Sequence, residues 1–199
     1  MILDKKIRKS LYDKTIDGFE YNPQLVVNEH AKTIKHSIIE NLDNANRVDI
    51  AVSYVVWSGL SLIFEHLKKF DSNSRIIITT EGLVTDPKSL EKLLELNLSV
   101  KVYDPYVLNS KGFHLKSYLF EKDNHTTILV GSNNISARAF GMVHEMAVEI
   151  DSNNQGYIVD KYQRTFEELW NDPSSKTLTL DFIDSYRDVY NEKMLMDEK

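Results

Sequence analysis

Apolar positions along this chain follow two alternating spacings. A spacing of three and four residues places apolar side chains on one side of a helix and predicts helices. These helices span residues 28–42, 58–70, 87–96, 157–170 and 181–194. Short apolar runs predict strands over residues 48–56, 75–80, 98–103, 113–120, 126–130 and 144–150. The pattern therefore starts as alternating strands and helices and continues as three consecutive strands.

This order of elements indicates an α/β fold. Strands that alternate with helices and then follow one another predict a mixed sheet sandwiched between helices on both faces. Asp86 precedes Pro87, a pair suited to the start of a helix, and residues 122–125 suit a hairpin turn. The chain has 199 residues. We expect one domain over residues 1–170, followed by a linker and a C-terminal helix over residues 171–199 that could lead into a further domain.

Polar side chains occur at a spacing of two near two of the predicted strands. His114 and Lys116 lie in the run FHLKSYLF, so both project from the same face of a strand. Ser132 and Asn134 have the same spacing just after the next predicted strand. If the two strands are neighbours, an imidazole, an ammonium, a hydroxyl and a carboxamide meet. This set suits a phosphate because it combines a nucleophile or proton carrier, a fixed positive charge and two neutral hydrogen-bonding groups.

The two motifs, His-x-Lys from His114 and Gly-Ser-x-Asn from Gly131, resemble the signature of the phospholipase D superfamily. The acidic residue that this family places after four further residues is Glu121 here, a Glu in place of Asp. The resemblance implies a sandwich fold of the predicted kind. It also implies a catalytic and phosphate-binding set, which consists of His114, Lys116, Ser132, Asn134 and Glu145.

Glu145 enters this set through a further feature of the resembling family. There, a carboxylate on the strand after the second motif accepts a hydrogen bond from the catalytic histidine and holds its tautomer. Glu145 is our first choice for this role and Glu149 the second, although Glu149 also suits a solvated strand face. The accessory candidates are Glu121, Tyr118, Trp57 and Arg138. Tyr118 shares the face of His114 and could shape the pocket, whereas Trp57 could stack on a base but suits packing better.

The single His-x-Lys motif bears on assembly. The mechanism that the resemblance implies needs one histidine to attack phosphorus, giving a phosphohistidine, and another to protonate the leaving oxygen. None of the other histidines lies in a second such motif. We therefore expect a homodimer that pairs two His114 residues about a two-fold axis. Ile135, Ala137 and Phe140, beside the second motif, could line the contact.

The composition of the chain limits the kinds of binding partner that we expect. The net charge of −6 argues against a broadly basic nucleic-acid surface. Basic residues nevertheless lie on or near the site segments, at Lys101, Lys111, Lys116 and Arg138. The sequence has no cysteine, no run of apolar residues long enough to span a bilayer and no signal-peptide pattern, which predicts a cytoplasmic protein without a membrane partner. Carboxylates lack the close spacing of a metal site, and no Gly-rich phosphate loop is present, so we expect neither metal nor cofactor.

The substrate prediction follows the resemblance. Residues 48–170 are similar to single-motif nuclease-like domains of some bacterial restriction endonucleases, and to the N-terminal domain of some DEAD/DEAH-type helicases. This implies a metal-independent phosphodiesterase that acts on DNA or another nucleic acid and could be the N-terminal part of a helicase or restriction protein. Two alternatives stay open. One is a non-catalytic nucleic-acid-binding or interaction module that keeps the phosphate pocket, and the other is a phospholipid-processing enzyme.

Overall fold

The computed structural model describes residues 23–29, 32–104, 106 and 111–197. In these ranges eight strands form one sheet. The strands are β1 (Gln24–Val27), β2 (Arg47–Val52), β3 (Arg75–Thr79), β4 (Ser99–Tyr103), β5 (Lys116–Glu121), β6 (Thr126–Gly131), β7 (Met146–Ser152) and β8 (Ser175–Thr177). The helices are α1 (Ile34–Asn44), α2 (Trp57–Leu67), α3 (Pro87–Leu94), α4 (Tyr157–Trp170) and α5 (Leu180–Asp197), with a 3₁₀ turn at Glu81–Leu83 and a π-helical turn at Arg138–Met142.

The sheet is mixed, and its strand order is β1-β7-β6-β5-β2-β3-β4-β8. β2, β3 and β4 pair in parallel because a helix connects each to the next. The remaining neighbours pair antiparallel, including the consecutive strands β5, β6 and β7. The β5–β2 pair in the middle joins the two halves.

Four helices cover one face of the sheet. Ile38 of α1, Ile63 of α2, Leu93 of α3 and Ile183 of α5 lie in one buried cluster with sheet residues such as Ile50. Burying a side chain of this size contributes about 1.5–3 kcal/mol. This face therefore holds the main core of the described chain.

A single helix, α4, covers part of the opposite face. Phe166 packs in a cluster with Ala51 of β2 and Ile77 of β3. Val159 packs in another with Leu119 of β5. The cover of α4 therefore lies over the central strands.

The outer strands on the α4 side are left with exposed apolar side chains. We call this region the open face and define it by Leu25, Val130, Met146 and Val148, which are 61%, 46%, 56% and 37% exposed. Val148 is the cross-strand neighbour of Leu25 on one side and of Val130 on the other. Apolar side chains from β1, β6 and β7 thus form one continuous solvent-facing patch.

The predicted mixed sheet between helices is confirmed. So is the start of α3, where the Asp86 carboxylate accepts a hydrogen bond from the backbone N–H of Ser89 at 2.8 Å. The predicted hairpin joins β5 to β6. The pattern gave correct element types, because these elements each bury one clear apolar side.

The first predicted helix differs from the structure at its start. It was expected from residue 28, but α1 begins at Ile34, with Thr33 as its cap. Residues 24–27, which precede the predicted start, form β1, and residues 30 and 31 lie outside the described ranges. The cap explains the boundary, since the Thr33 hydroxyl accepts a hydrogen bond from the backbone of His36 at 3.4 Å.

The predicted linker after residue 170 contains structure. β8 pairs antiparallel with β4, and Leu178 directly after it is buried. α5 then adds Ile183 and Tyr186 to the main core. Residues 175–197 therefore pack on the same core as the rest of the described chain.

Polar and apolar side chains alternate along β7, and the side that carries Glu149 faces the protein interior. The solvated face considered for Glu149 is therefore wrong. Met146 and Val148 belong to the open face, whereas Glu149 is 7% exposed. The Glu149 carboxylate accepts hydrogen bonds from the hydroxyl of Ser37 and from the amide of Asn41, the latter at 3.0 Å. These polar groups of α1 make burial of the carboxylate tolerable.

Candidate active site

Four strand ends meet at one edge of the sheet. β2 ends just before Ser53, β5 begins at Lys116, β6 ends at Gly131 and β7 begins at Met146. β2 and β5, β5 and β6, and β6 and β7 pair antiparallel. The end of one strand therefore lies beside the start of the next. This brings both sequence motifs to the same edge, with Glu145 directly before β7.

Lys116 is buried at this edge, with 8% exposure. Its ammonium donates hydrogen bonds to the hydroxyl of Ser53 and to the backbone carbonyl of His114, both at 3.1 Å. Burial lowers the pKa of Lys116, and the charge of the Glu145 carboxylate opposes this effect. An ammonium has three N–H donors. The described residues therefore leave one donor of Lys116 for an anion.

His114 lies on the segment that leads into β5, because the strand begins three residues later than predicted. Its side chain is exposed, and its Nδ1 lies 3.4 Å from Oγ of Ser53. The preceding Phe113 anchors the segment by packing on Tyr103, with 5.3 Å between ring centroids. Nδ1 thus faces the protein, and Nε2 has no partner within the described ranges.

Ser132 and Glu145 form a pair beside the lysine. The Ser132 hydroxyl donates a hydrogen bond to the Glu145 carboxylate and accepts one from the backbone N–H of Met146 at 3.3 Å. The resemblance implied a bond from His114 to Glu145. In the structure the hydrogen-bond partner of Glu145 is Ser132, and Glu145 acts on Lys116 through its charge.

Gly131 makes this close approach possible. A Cβ atom at position 131 would lie 2.4 Å from the backbone oxygen of Met146 and 2.7 Å from Cα of Ala147. Any side chain here would push β7 away from β6. The glycine of the second motif therefore has a packing reason.

Asn134 is 5% exposed and ties two loops together. Its Oδ1 accepts a hydrogen bond from the backbone N–H of Tyr54 at 3.1 Å. An N–H donor can face only the oxygen of a carboxamide, so Nδ2 is directed elsewhere. Nδ2 has no acceptor in the part of the chain that the structure describes, and it is therefore available to a ligand.

Tyr118 supports the site from below. Its side chain is fully buried, and its hydroxyl donates to the backbone carbonyl of Asn133 at 3.2 Å. Burial raises the pKa of Tyr118, so the phenol remains a neutral donor. The side-chain amide of Asn133 is itself buried, and among the described residues neither its nitrogen nor its oxygen has a hydrogen-bond partner.

Two of the predicted carboxylates lie away from this edge. Glu121 is at the other end of β5, where it accepts a hydrogen bond from Arg47 at 3.0 Å. Glu149 is enclosed between β7 and α1 by the bonds described above. The structure brings neither of them to the site.

Trp57 and Arg138 occupy different surroundings. The Trp57 ring packs edge-to-face on Phe64, with 5.9 Å between centroids, and the ammonium of Lys88 lies 4.8 Å from its centroid. Its backbone N–H donates to Asp86 at 2.7 Å. This arrangement is that of a packing residue. Arg138 is exposed at the start of the π-helical turn that follows the second motif.

Ser53 and Tyr54 contact the site but were not among the predicted site residues. Ser53 contacts both residues of the first motif, and Tyr54 contacts Asn134 through its backbone. A signal for Ser53 existed, because it is a small polar residue at the carboxyl end of a buried strand, where ligands gather in α/β folds. The role of Tyr54 leaves no such signal, since every non-proline residue carries an N–H.

Metal-binding clusters and membrane-spanning helices are both absent from the described ranges. No three or more His, Cys, Asp or Glu side chains there are grouped so that they could hold a metal ion. None of the helices described there is both long enough and apolar enough to cross a membrane.

The mixed sheet, with both sequence motifs at one edge, defines the class of α/β domain to which the chain belongs. A family model described as the PLD-like domain of cardiolipin synthase matches residues 38–170, which is well over half of the chain. The chain belongs to the phospholipase D superfamily, as the resemblance predicted. Comparison with curated protein sequences gives no match.

Solved structures show the same fold. The phospholipase D family member Nuc from Salmonella typhimurium has a TM-score of 0.61 and 16% identity, over 78% of this chain and 96% of that chain. NucT from Helicobacter pylori has a TM-score of 0.54 and 13% identity, over 78% and 99%. Phosphatidylserine synthase from Haemophilus influenzae has a TM-score of 0.57 and 12% identity, over 88% and 46%. At these identities the similarity establishes the fold.

Proposed function

We propose that this chain is one half of a metal-independent phosphodiesterase that acts on nucleic acid, DNA above all, through a phosphohistidine. One observation carries the proposal. At the site edge, Nε2 of His114, one N–H of Lys116 and Nδ2 of Asn134 have no partner among the described residues. One nucleophile and two donors in one place match the needs of a phosphodiester group.

The reaction takes two steps. Nε2 of His114 bonds to phosphorus while the bond to the leaving oxygen breaks, and Lys116 and Asn134 donate to the non-bridging oxygens. The leaving oxygen takes a proton from His114 of the partner subunit, on the opposite side of phosphorus. That imidazole then takes a proton from water, the resulting hydroxide attacks phosphorus, and the P–N bond breaks. His114 is regenerated and a phosphomonoester leaves.

The open face supports a two-fold contact between subunits. It adjoins the site twice, because Val130 precedes the second motif and Met146 follows Glu145. An apolar patch of this kind on a sheet is expected to be covered by a partner. A two-fold contact across the open face would also bring the two site edges towards each other, because residues that adjoin an isologous interface lie near the symmetry axis. The second chain thus completes a site that has only one His114 of its own.

Of the three contact residues expected from the sequence, Ile135 and Phe140 are buried in the core, whereas Ala137 is half-buried. Ile135 and Phe140 are 0% and 2% exposed and lie in the main core. A side chain buried within its own subunit cannot line a contact between folded subunits. Both residues are apolar because they anchor the loop of the second motif on the core.

We propose nucleic acid as the substrate, and not phospholipid, because the dimer would leave basic side chains exposed beside the site. Once the open face is covered, Lys111 and Arg138 are exposed residues on the segments that flank the two motifs. Lysine and arginine attract a phosphate backbone, whereas a lipid substrate needs apolar surface that stays accessible. The association with a helicase or restriction protein stays a prediction from the resemblance.

The activity test uses purified protein, EDTA, a bis-aryl phosphodiester and mixed-sequence DNA in single- and double-stranded form. We expect steady cleavage of the small diester and of DNA. Cleavage that requires added Mg²⁺ contradicts the metal-free mechanism. DNA binding without cleavage identifies the binding-module alternative, and hydrolysis of vesicle phospholipid without cleavage of DNA identifies the lipid enzyme.

The assembly test compares two valines that are both exposed. Val148→Lys places a charge on the open face, and the matched control Val189→Lys places one on α5, where Val189 is 52% exposed. By light scattering at micromolar concentration we expect wild type and V189K to be dimers, and V148K to be a monomer with at least about tenfold lower turnover. A fully active wild-type monomer, or a V148K dimer, contradicts the assignment. Loss of vesicle flotation in V148K, from a wild type that is monomeric, assigns the open face to lipid.

A further inference from the structure

Three site groups meet at the hydroxyl of Ser53. The residue is 6% exposed. Its Oγ lies 3.1 Å from Nζ of Lys116, 3.3 Å from the backbone oxygen of Leu115 and 3.4 Å from Nδ1 of His114. Ser53 follows β2, whereas the other three residues lie where the chain enters β5. The hydroxyl therefore joins two neighbouring strand ends at the site.

The hydrogen-bonding capacity of a serine fixes who donates to whom. A hydroxyl has one proton and two lone pairs. The ammonium of Lys116 can only donate, so it occupies one lone pair. The carbonyl of Leu115 can only accept, so it takes the hydroxyl proton. The second lone pair remains for Nδ1 of His114, which can bond there only if it carries its own proton.

We infer that Ser53 is a positioning residue that holds His114 in the tautomer protonated on Nδ1. The lone pair of the neutral ring then lies on Nε2, the nitrogen that attacks phosphorus in the proposed function. The catalytic meaning of this inference rests on that function. Its structural content does not, because the tautomer exists in the resting protein.

The surroundings of the ring favour this assignment over one that relies on a carboxylate. Glu145, the expected partner from the sequence, accepts a hydrogen bond from Ser132 instead. A serine hydroxyl can choose which ring nitrogen carries the proton without adding a charge. The contact of 3.4 Å is long, as such contacts often are before substrate binds.

The decisive measurement is the tautomer itself, read from the ring nitrogen shifts of ¹⁵N-labelled protein at a pH where the ring is neutral. The signals of His114 are assigned by their loss in His114→Ala. We expect wild type to show the Nδ1-protonated form, and Ser53→Ala to show a mixture that contains the Nε2-protonated form. Ser117→Ala is the matched control, because Ser117 is similarly buried at 8% but its hydroxyl lies within hydrogen-bonding distance of the Tyr162 hydroxyl, at 3.2 Å.

Kinetics give the second readout. We expect Ser53→Ala to lower kcat by about tenfold with KM little changed, and Ser53→Thr, which keeps a hydroxyl, to restore most of the rate. The inference is overturned if Ser53→Ala leaves the tautomer of His114 unchanged, or if Ser117→Ala changes it equally. If wild type has no turnover, the proposed function fails, whereas the nitrogen shifts still decide the role of Ser53.

Discussion

The two ends of β5 each carry a lysine with little solvent around it, and their hydrogen bonds differ. At the site end, Lys116 has two neutral partners among the described residues, which leave one of its three donors unused. At the other end, Lys122 donates to Oδ1 of Asn41 and Oγ1 of Thr127, both at 2.8 Å, and lies 3.4 Å from Nε2 of His125. All three donors of Lys122 thus have protein partners. Under the proposed function the first lysine binds the phosphodiester, whereas the second lysine serves the fold.

The direction of the pKa shift does not distinguish Lys116 from Lys122. Burial lowers the pKa of both, and nearby carboxylates oppose the effect in both cases. For Lys116 the carboxylate is that of Glu145, and for Lys122 the first of several is that of Asp151. Counting donors against acceptors is therefore a better guide to a binding group here than the direction of the pKa shift, which is the same for both lysines.

The largest expected effect contrasts the histidines near the two ends. His114→Ala should lower diesterase turnover by at least about 10⁴-fold, because it removes the nucleophile of both subunits. His125→Ala, in the hairpin at the opposite end of β5, should leave turnover within about twofold, since it is remote from the proposed chemistry. Both rates are measured on the bis-aryl diester. Similar losses in both variants, or full activity in His114→Ala, would place the chemistry elsewhere.

The second contrast exchanges the two lysines for methionine. Lys116→Met should lower turnover by about 10²–10³-fold, because it removes one donor to the phosphoryl oxygens, with little loss of stability. Lys122→Met should keep turnover but lower the free energy of unfolding by about 1–3 kcal/mol, because Asn41 and Thr127 lose a buried donor. Urea unfolding and initial rates of the same preparations test this. The comparison of the two ends breaks down if each variant shows the behaviour expected of the other.

The smallest expected effect is a pH dependence of stability. The folded pKa values of Lys116 and Lys122 lie below the ordinary 10.5. Between each lowered value and 10.5 the unfolded chain binds more protons than the folded chain, so the free energy of unfolding rises with pH in that window. We expect this rise to be smaller in Lys122→Met than in wild type, and unchanged in the exposed control Lys176→Met.

The measurement is the difference between variant and wild type in urea midpoints across the alkaline range. Burial raises the pKa of Tyr118 and of Tyr162, which acts in the opposite direction above pH 10. These tyrosines are common to all the variants and cancel in the difference. An equal rise with pH in Lys122→Met and wild type would show that burial of this lysine has no cost to fold stability.

The two motifs of the candidate site could be predicted from the sequence, whereas the hydrogen bonds that hold their side chains in place could not. His114 and Lys116 could be found because their side chains carry the chemistry and their spacing is fixed by the strand. The orientation of Asn134 could not, because its partner is a backbone N–H of Tyr54. Ser53 was missed because it contacts the first motif only when β2 lies beside β5. The spacing of residues along the chain does not predict the order of strands in the sheet.

The fold shows the same limit. β1 and β8 have four and three residues, too few for an alternation to be visible. The burial of Glu149 depends on Ser37 and Asn41, which are distant along the chain, and no local pattern in β7 reports them. Elements with one long apolar side were predicted, whereas short edge strands and the choice of inward side in β7 required the tertiary structure.

The single His-x-Lys motif of each subunit has a genetic consequence. Under the proposed two-fold assembly, one codon specifies both the group that attacks phosphorus and the group that protonates the leaving oxygen. No point mutation can then remove one role and keep the other. Only mixed dimers of wild-type and His114→Ala chains would have one His114 imidazole, and not two, at the shared site. The two roles are therefore inherited, and selected, as one.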